Sequence, residues 1–142
     1  MALLNYTTSI SAQKTVGEIM GMLVAHGATA VLMNYDEDRQ IESLSFRVTT
    51  AKGDIEIRLP VNPDAVLRVM KGTRTPRHYC NREQALRVAW RIAKSWVQAQ
   101  MAIIETEMVK IDQVFLPYWV TPSGETVYEN YVGTKFQLGK GG

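Results

Sequence analysis

The sequence has few of the residues that build disulfide frameworks and metal sites. Its 142 residues include one cysteine, Cys80, and two histidines. A single cysteine excludes an internal disulfide framework and fits a reducing compartment, so we expect a cytoplasmic protein. Two scattered histidines and one cysteine also argue against a zinc site. We therefore expect no metal.

The sequence also lacks long apolar runs and a targeting segment. No apolar stretch approaches the about 20 residues that span a bilayer. The first ten residues, MALLNYTTSI, have neither the basic start nor the long apolar stretch of a signal peptide. We expect a protein without membrane contact.

Recognisable catalytic motifs are missing as well. We find no phosphate-binding Walker loop, no dinucleotide-binding glycine fingerprint, no nucleophile elbow and no HExxH zinc motif. Cys80 lies beside arginines at the start of a predicted helix, with His78 two residues away, which is only a weak indication of a nucleophile. We assign no catalytic residue and no cofactor, and binding is favoured over catalysis.

What the sequence does contain is the pattern of one α+β domain over residues 1–132, followed by a flexible Gly- and Lys-rich tail over residues 133–142. We expect an antiparallel sheet of about four strands, a short N-terminal helix, a second short helix and one long central helix. Alternating and β-prone segments predict the strands at residues 2–10, 28–35, 40–50 and 55–59.

Local signals mark the two short helices. Thr15 is the predicted N-cap of the first, and Gly17 and Gly21 form a smooth strip that we expect to pack closely on the sheet. Gly27 is suited to end that helix. Asn62, followed by proline, is the predicted start of the second helix.

The long helix is predicted over residues 81–108, which contain no glycine and no proline. At 3.6 residues per turn it has two apolar faces and one polar stripe. One apolar face should pack on the sheet of its own domain. We expect the other in the interface of a homo-oligomer.

Positive charge is concentrated in residues 68–94, which carry eight basic residues and one acid, or +7. The rest of the chain carries eight basic residues and 13 acids, or −5. Such clustering favours an anionic partner. The alternative interpretation is a solvated helix face with a basic loop beside it.

The loop at residues 73–80 leads directly into the long helix, whose free N–H groups and dipole favour a bound phosphate or carboxylate. The predicted ligand-binding residues are Arg74, Arg77, His78, Tyr79, Arg82, Arg87, Arg91 and Lys94. Tyr118 and Trp119 are candidates for stacking on a base. The alternative interpretation is that these two aromatic residues pack in the core.

Four segments carry a resemblance to small proteins encoded by phages and prophages. They are TTSISAQKTVGEIMGMLVAHGATAV, RLPVNPDAVLRVM, REQALRVAWRIAKSWVQAQMAII and VFLPYWVTPSGETVYE, and they cover most of residues 6–130. The resemblance implies no catalytic activity. In size, charge clustering and predicted oligomeric helix the chain is similar to phage anti-defence proteins that sequester nucleotide immune signals.

The leading expectation is therefore a phage-type anti-defence protein. It would bind and sequester a phosphate-bearing nucleotide signal, a cyclic ADP-ribose isomer or a cyclic oligonucleotide, without cleaving it. Three alternatives stay open. They are a phage accessory protein that binds single-stranded nucleic acid, a small nucleotide phosphodiesterase that uses His78, and an adaptor in phage assembly.

Overall fold

The computed structural model describes residues 3–134, so all but the first two residues of the predicted flexible tail lie outside the described residues. The described chain forms an antiparallel sheet and five α-helices. In chain order the elements are α1 (Ala12–Ala25), β1 (Ala28–Tyr35), β2 (Ile41–Thr50), β3 (Gly53–Arg58), α2 (Pro63–Lys71), α3 (Arg82–Glu105), α4 (Ile111–Val114) and α5 (Val127–Gly133). Single 3₁₀ turns lie at Arg77–Tyr79 and Leu116–Tyr118. The predicted α+β class is confirmed.

The sheet has three strands, and the predicted fourth strand at residues 2–10 is wrong. Asn5 has a φ of 64°, which turns the backbone out of the extended conformation. The carbonyl groups of Tyr6 and Thr8 accept hydrogen bonds from the Gln84 side-chain amide at 2.8 and 2.9 Å. The N-terminal segment is therefore held against the start of α3 and does not pair with the sheet.

The N-cap of helix α1 lies four residues before the predicted cap, Thr15. Ser11 is the N-cap, and its hydroxyl accepts from the Lys14 N–H at 3.1 Å. Thr15 is fully buried one turn inside, where its hydroxyl donates to the Ser11 carbonyl. Gly27, with a φ of 103°, follows the helix end as predicted. The expected close packing of the glycine strip is wrong, because Gly17 and Gly21 are exposed.

The strands run in the order β1-β2-β3, and every pair is antiparallel. Val31, Phe46 and Ile57 are partners across the three strands and point to the inner face, which α1 and α3 cover. The outer face carries polar side chains, with Arg47 opposite Glu56. This two-residue alternation is the pattern that predicted strands β2 and β3.

Helix α3 begins after Asn81, whose side-chain oxygen accepts from the Gln84 N–H at 2.8 Å, as predicted. It ends at Glu105, three residues before the predicted end, because Glu107 adopts a φ of 63°. One apolar face is buried in the main core, and residues of the other, including Ala85 and Val88, are also fully buried beside α2. On the second face Ala99 is exposed, and Ile92 and Ile103 are half-buried, so the predicted oligomer contact of this helix stays a prediction.

Among the described residues, no helix combines the length and the apolar character that crossing a membrane requires.

Candidate anion-binding site

The structure divides the eight predicted ligand-binding residues among three places. Arg91 and Lys94 converge on α1, while Arg82 and Arg87 lie at the start of α3. The remaining four lie in the loop before α3: Arg74, Arg77, His78 and Tyr79. These three groups have different partners and therefore different capacities to bind a ligand.

Arg91 and Lys94 are paired with one acid of the same chain. The Arg91 Nη1 atom lies 3.1 Å from Oε2 of Glu18, and Lys94 Nζ contacts the same oxygen. The two cation side chains are only 19% and 24% exposed. The hydrogen bond from Lys94, followed by the weaker effects of its charge and of Arg91, holds the pKa of Glu18 below its usual value against the effect of desolvation. These two cations fix α1 to α3.

Arg87 completes a buried polar network that sequence reasoning missed. Its Nε and Nη2 atoms donate to the side-chain oxygen of Gln84 at 3.0 and 2.6 Å, and Nη1 reaches Glu83 at 3.1 Å. Gln84 is only 4% exposed, and its amide nitrogen holds the N-terminal segment. Since an unpaired buried amide is destabilising, Arg87 has a structural role. The signal available in the sequence was the spacing of Gln84, three residues before Arg87 and seven before Arg91, which places it on the polar stripe.

Arg82 is also paired, though it is more exposed. Its Nε atom donates to Oδ1 of Asp64 in α2 at 3.1 Å. Arg82 and Arg87 line an open cavity of about 450 Å³ between the starts of α1 and α3, but Asp38 and Glu83 line it too. The mixed signs of charge make this cavity a poor site for an anion.

A different set of cations has no such partners. We call residues 68–77, the last turn of α2 and the loop after it, the basic segment. It contains four exposed basic residues and no acid: Arg68, Lys71, Arg74 and Arg77. None of the four forms an ion pair with any residue between 3 and 134. Lys71 and Arg77 line a cavity of about 440 Å³ together with Thr75 and Cys80.

Short polar contacts give this loop a defined path. The hydroxyl groups of Thr73 and Thr75 lie 2.9 Å apart, and Thr73 also donates to the carbonyl of Met70 at 3.2 Å. Met70 is fully buried, and Thr75 is 8% exposed. Arg74 and Arg77 therefore extend from a loop whose backbone is anchored to the end of α2.

The rings beside the basic segment differ in accessibility. Tyr79 is half-buried, with Tyr6 edge-on at a centroid distance of 5.4 Å. His78 is exposed and lies 4.2 Å from the Tyr79 ring at an angle of 38°. His78 is therefore the ring that a ligand reaches more easily.

The structure does not build a nucleophile from Cys80 and His78. The Cys80 thiol contacts the carbonyl groups of Thr75 and Pro76 at 3.8 and 3.7 Å. Within residues 3–134 no hydrogen bond joins the His78 ring to Cys80 or to a carboxylate. The same part of the chain holds no group of three or more potential metal-ligating side chains.

Tyr118 and Trp119 pack against the core. Trp119 donates from Nε1 to the Asp112 carbonyl at 3.0 Å, and Tyr118 meets Trp96 edge-on at 5.4 Å. Tyr118 also lines two apolar cavities beside Pro60, and none of the eight predicted ligand-binding residues lines either one. Neither cavity brings the predicted stacking residues together with the basic residues.

No protein-family model, no curated protein and no solved structure matches this chain. The resemblance to small phage proteins therefore stays a prediction.

Proposed function

We propose that this protein binds a phosphate-bearing nucleotide through the basic segment and does not cleave it. The observation that supports the proposal is the set of four exposed cations within ten residues that lack an ion pair among the described residues. Like charges so close in sequence repel one another, and a bound phosphate relieves that repulsion. The other cations of the +7 region are engaged by acids of the chain itself.

The residue types suit phosphate recognition. Arginine presents a planar fork of donors that matches two phosphate oxygens, while lysine supplies a point charge. Each charge-assisted hydrogen bond contributes about 1.5–3 kcal/mol. The exposed His78 ring lies one residue from Arg77 and provides a face on which a base can stack.

The most specific form of the proposal is a phage-type anti-defence protein in the cytoplasm of an infected cell. There it would sequester a cyclic ADP-ribose isomer or a cyclic oligonucleotide. Support for this form comes from the sequence resemblance and from the basic surface, beside which no hydrogen bond among residues 3–134 joins Cys80 to the His78 ring. Retention of an intact ligand is the property that separates sequestration from a phosphodiesterase.

A second candidate is an accessory protein that binds single-stranded nucleic acid. It is favoured because the four cations of the basic segment are exposed on the surface, where the phosphates of a polynucleotide can contact them in succession. Salt dependence separates the two functions. Long polynucleotides release many counterions and bind with a steep dependence on salt, whereas a compact signal with two phosphates gives a shallow one.

The first experiment is mass spectrometry of small molecules released by heating the purified protein. An intact phosphate-bearing nucleotide in the wild type, and its loss from the double variant Arg74→Ala/Arg77→Ala, is the expected result. Arg47→Ala is the matched control, since Arg47 is exposed on the outer face of the sheet. Equal retention by the wild type and the double variant would exclude the basic segment as the site. Tight binding of single-stranded DNA with a steep salt dependence, without nucleotide binding, would support the second candidate.

A further inference from the structure

The two outer edges of the sheet differ in whether another segment of the chain pairs with them. At β3, Ile57 forms a bridge with Trp119, and the Val120 N–H donates to the Glu56 carbonyl at 2.8 Å. At β1, no residue in the described part of the chain pairs with the outer edge. An edge strand presents a row of unpaired N–H and C=O groups, so β1 is open to pairing with another strand.

Strand β1 lacks the residues that usually prevent such pairing. Its eight residues, ATAVLMNY, include no charge and no proline and extend about 27 Å. The register is irregular only near its ends, which leaves a regular stretch from Ala30 to Asn34. Leu32 and Tyr35 are 55% and 52% exposed. The edge is therefore long and uncharged, and its central stretch is regular.

The helix layer also has an exposed flank, and Lys14 lies at its border, three residues before Gly17. Four exposed residues at helical spacing share one flank of α1: Gln13, Gly17, Gly21 and Val24. The opposite flank contacts α3 through Glu18 and His26. Helix α1 packs chiefly against α3 and, among the strands, contacts β1 most, so its flank away from α3 lies on the same side of the molecule as the free edge of β1.

Nothing inside the single chain explains the two glycines. Outside the nearby backbone of α1 itself, a Cβ atom at Gly17 or Gly21 would meet no atom of residues 3–134 within 4 Å. Neither glycine has a positive φ, and glycine weakens a helix interior relative to alanine. Because glycine has no side chain, a helix of a neighbouring molecule can approach this flank closely.

We propose that a second copy of this chain binds here. The two β1 strands pair antiparallel about a two-fold axis to form a continuous six-stranded sheet, and the two α1 flanks meet beneath them. A single foreign strand would cover only the edge. A second copy offers both layers in the same relative position and covers the edge and the flank together. In such an interface each patch meets itself, and the absence of charge on β1 avoids self-repulsion between the paired strands.

This interface differs from the one predicted on the sequence. The long helix was the expected contact because of its two apolar faces, and the chain itself buries residues on both. The unpaired edge could be identified only after the N-terminal segment was seen to lie away from the sheet.

Light scattering at micromolar concentration tests the proposal on the full chain. We expect a mass of two chains for the wild type. Leu32→Lys places two like charges near the axis, and Gly21→Glu fills the flank with a charged side chain. Both should raise the dissociation constant of the dimer at least about tenfold. Both sites are exposed, so the fold should persist, which circular dichroism checks. Val132→Lys on α5 is the control, because Val132 is 62% exposed elsewhere.

A single-chain mass for the wild type would overturn the proposal, as would an assembly that both variants leave intact. Hydrogen exchange adds a readout of the edge itself. The β1 amides should be protected in the wild type and exchange faster in the Leu32→Lys variant. Protection that persists in a monomeric variant would show that another segment covers the edge, and would also overturn the proposal.

Discussion

The polar stripe of α3 and the basic segment carry the same kinds of residue, but within residues 3–134 they differ in whether an acid pairs with their cations. On α3, Arg87, Arg91 and Lys94 each contact an acid of the same chain. In the basic segment, Arg74 and Arg77 form no ion pair with any residue from 3 to 134. A local excess of charge therefore indicates a binding surface only where the charges lack partners in the fold.

The largest expected effect comes from the free cations. The double variant Arg74→Ala/Arg77→Ala should weaken binding of a phosphate-bearing nucleotide about 100-fold or more, because each lost charge-assisted hydrogen bond removes about 1.5–3 kcal/mol. The free energy of unfolding should be unchanged, since both side chains are exposed. Titration calorimetry and chemical denaturation measure the two quantities. An equal loss of affinity in Arg47→Ala would show that binding depends on the total charge of the protein and not on the basic segment.

The next effect is on stability. Gln84→Ala should lower the free energy of unfolding by about 1–3 kcal/mol, because it leaves the Tyr6 and Thr8 carbonyls and the Arg87 guanidinium without their partner. Gln98→Ala, at an exposed position of the same helix, is the matched control and should change it by less than about 0.5 kcal/mol. Urea denaturation compares them. Equal effects would show that the buried network contributes little.

A single substitution on α3 tests whether its paired cations contribute to stability or to ligand binding. Arg91→Ala should lower the thermal midpoint, because Glu18 loses one partner across the contact of α1 with α3. Nucleotide binding per folded molecule should stay the same. Weaker nucleotide binding by Arg91→Ala at unchanged stability would show that the polar stripe of α3 belongs to the ligand-binding site.

Local signals account for the parts of the fold that the sequence predicted. Asn62 and Asn81 cap their helices through side-chain oxygens three residues from the N–H they accept, so the pattern is visible in a short window.

The failures at the N-terminal segment and at the polar stripe arise from contacts between residues far apart in sequence. The N-terminal segment reads as a strand, but Gln84 binds the Tyr6 carbonyl from 78 positions away. Likewise Arg91 is 73 positions from Glu18. No periodicity in the sequence reports such pairs, and they determine which arginines remain available to a ligand.

Acid should weaken the contact of α1 with α3. The hydrogen bond from Lys94, with the smaller effects of its charge and of Arg91, lowers the pKa of Glu18 below its usual 4.5. A carboxyl with a lowered pKa in the folded state contributes stability above its unfolded pKa and loses it as pH falls through the folded value. Thermal midpoints should therefore fall more steeply below about pH 4.5 in the wild type than in Glu18→Gln. Parallel curves would show that Glu18 is not the group involved.

The smallest effect is expected at the other end of the same helix contact, with the opposite sign. The His26 ring contacts Glu105 at 2.7 Å and the Met22 carbonyl at 2.8 Å, and these partners, Glu105 first, raise the pKa of His26 above 6.5. A histidine with a raised pKa contributes stability below its unfolded pKa and loses it as pH rises through the folded value. Because Glu105 is 66% exposed, solvent screens the pair, and the contribution should stay under about 1 kcal/mol. Wild-type stability should therefore decline slightly as pH rises above about 6.5, and Glu105→Gln should flatten that decline. A decline of the same size in Glu105→Gln would assign it to another group.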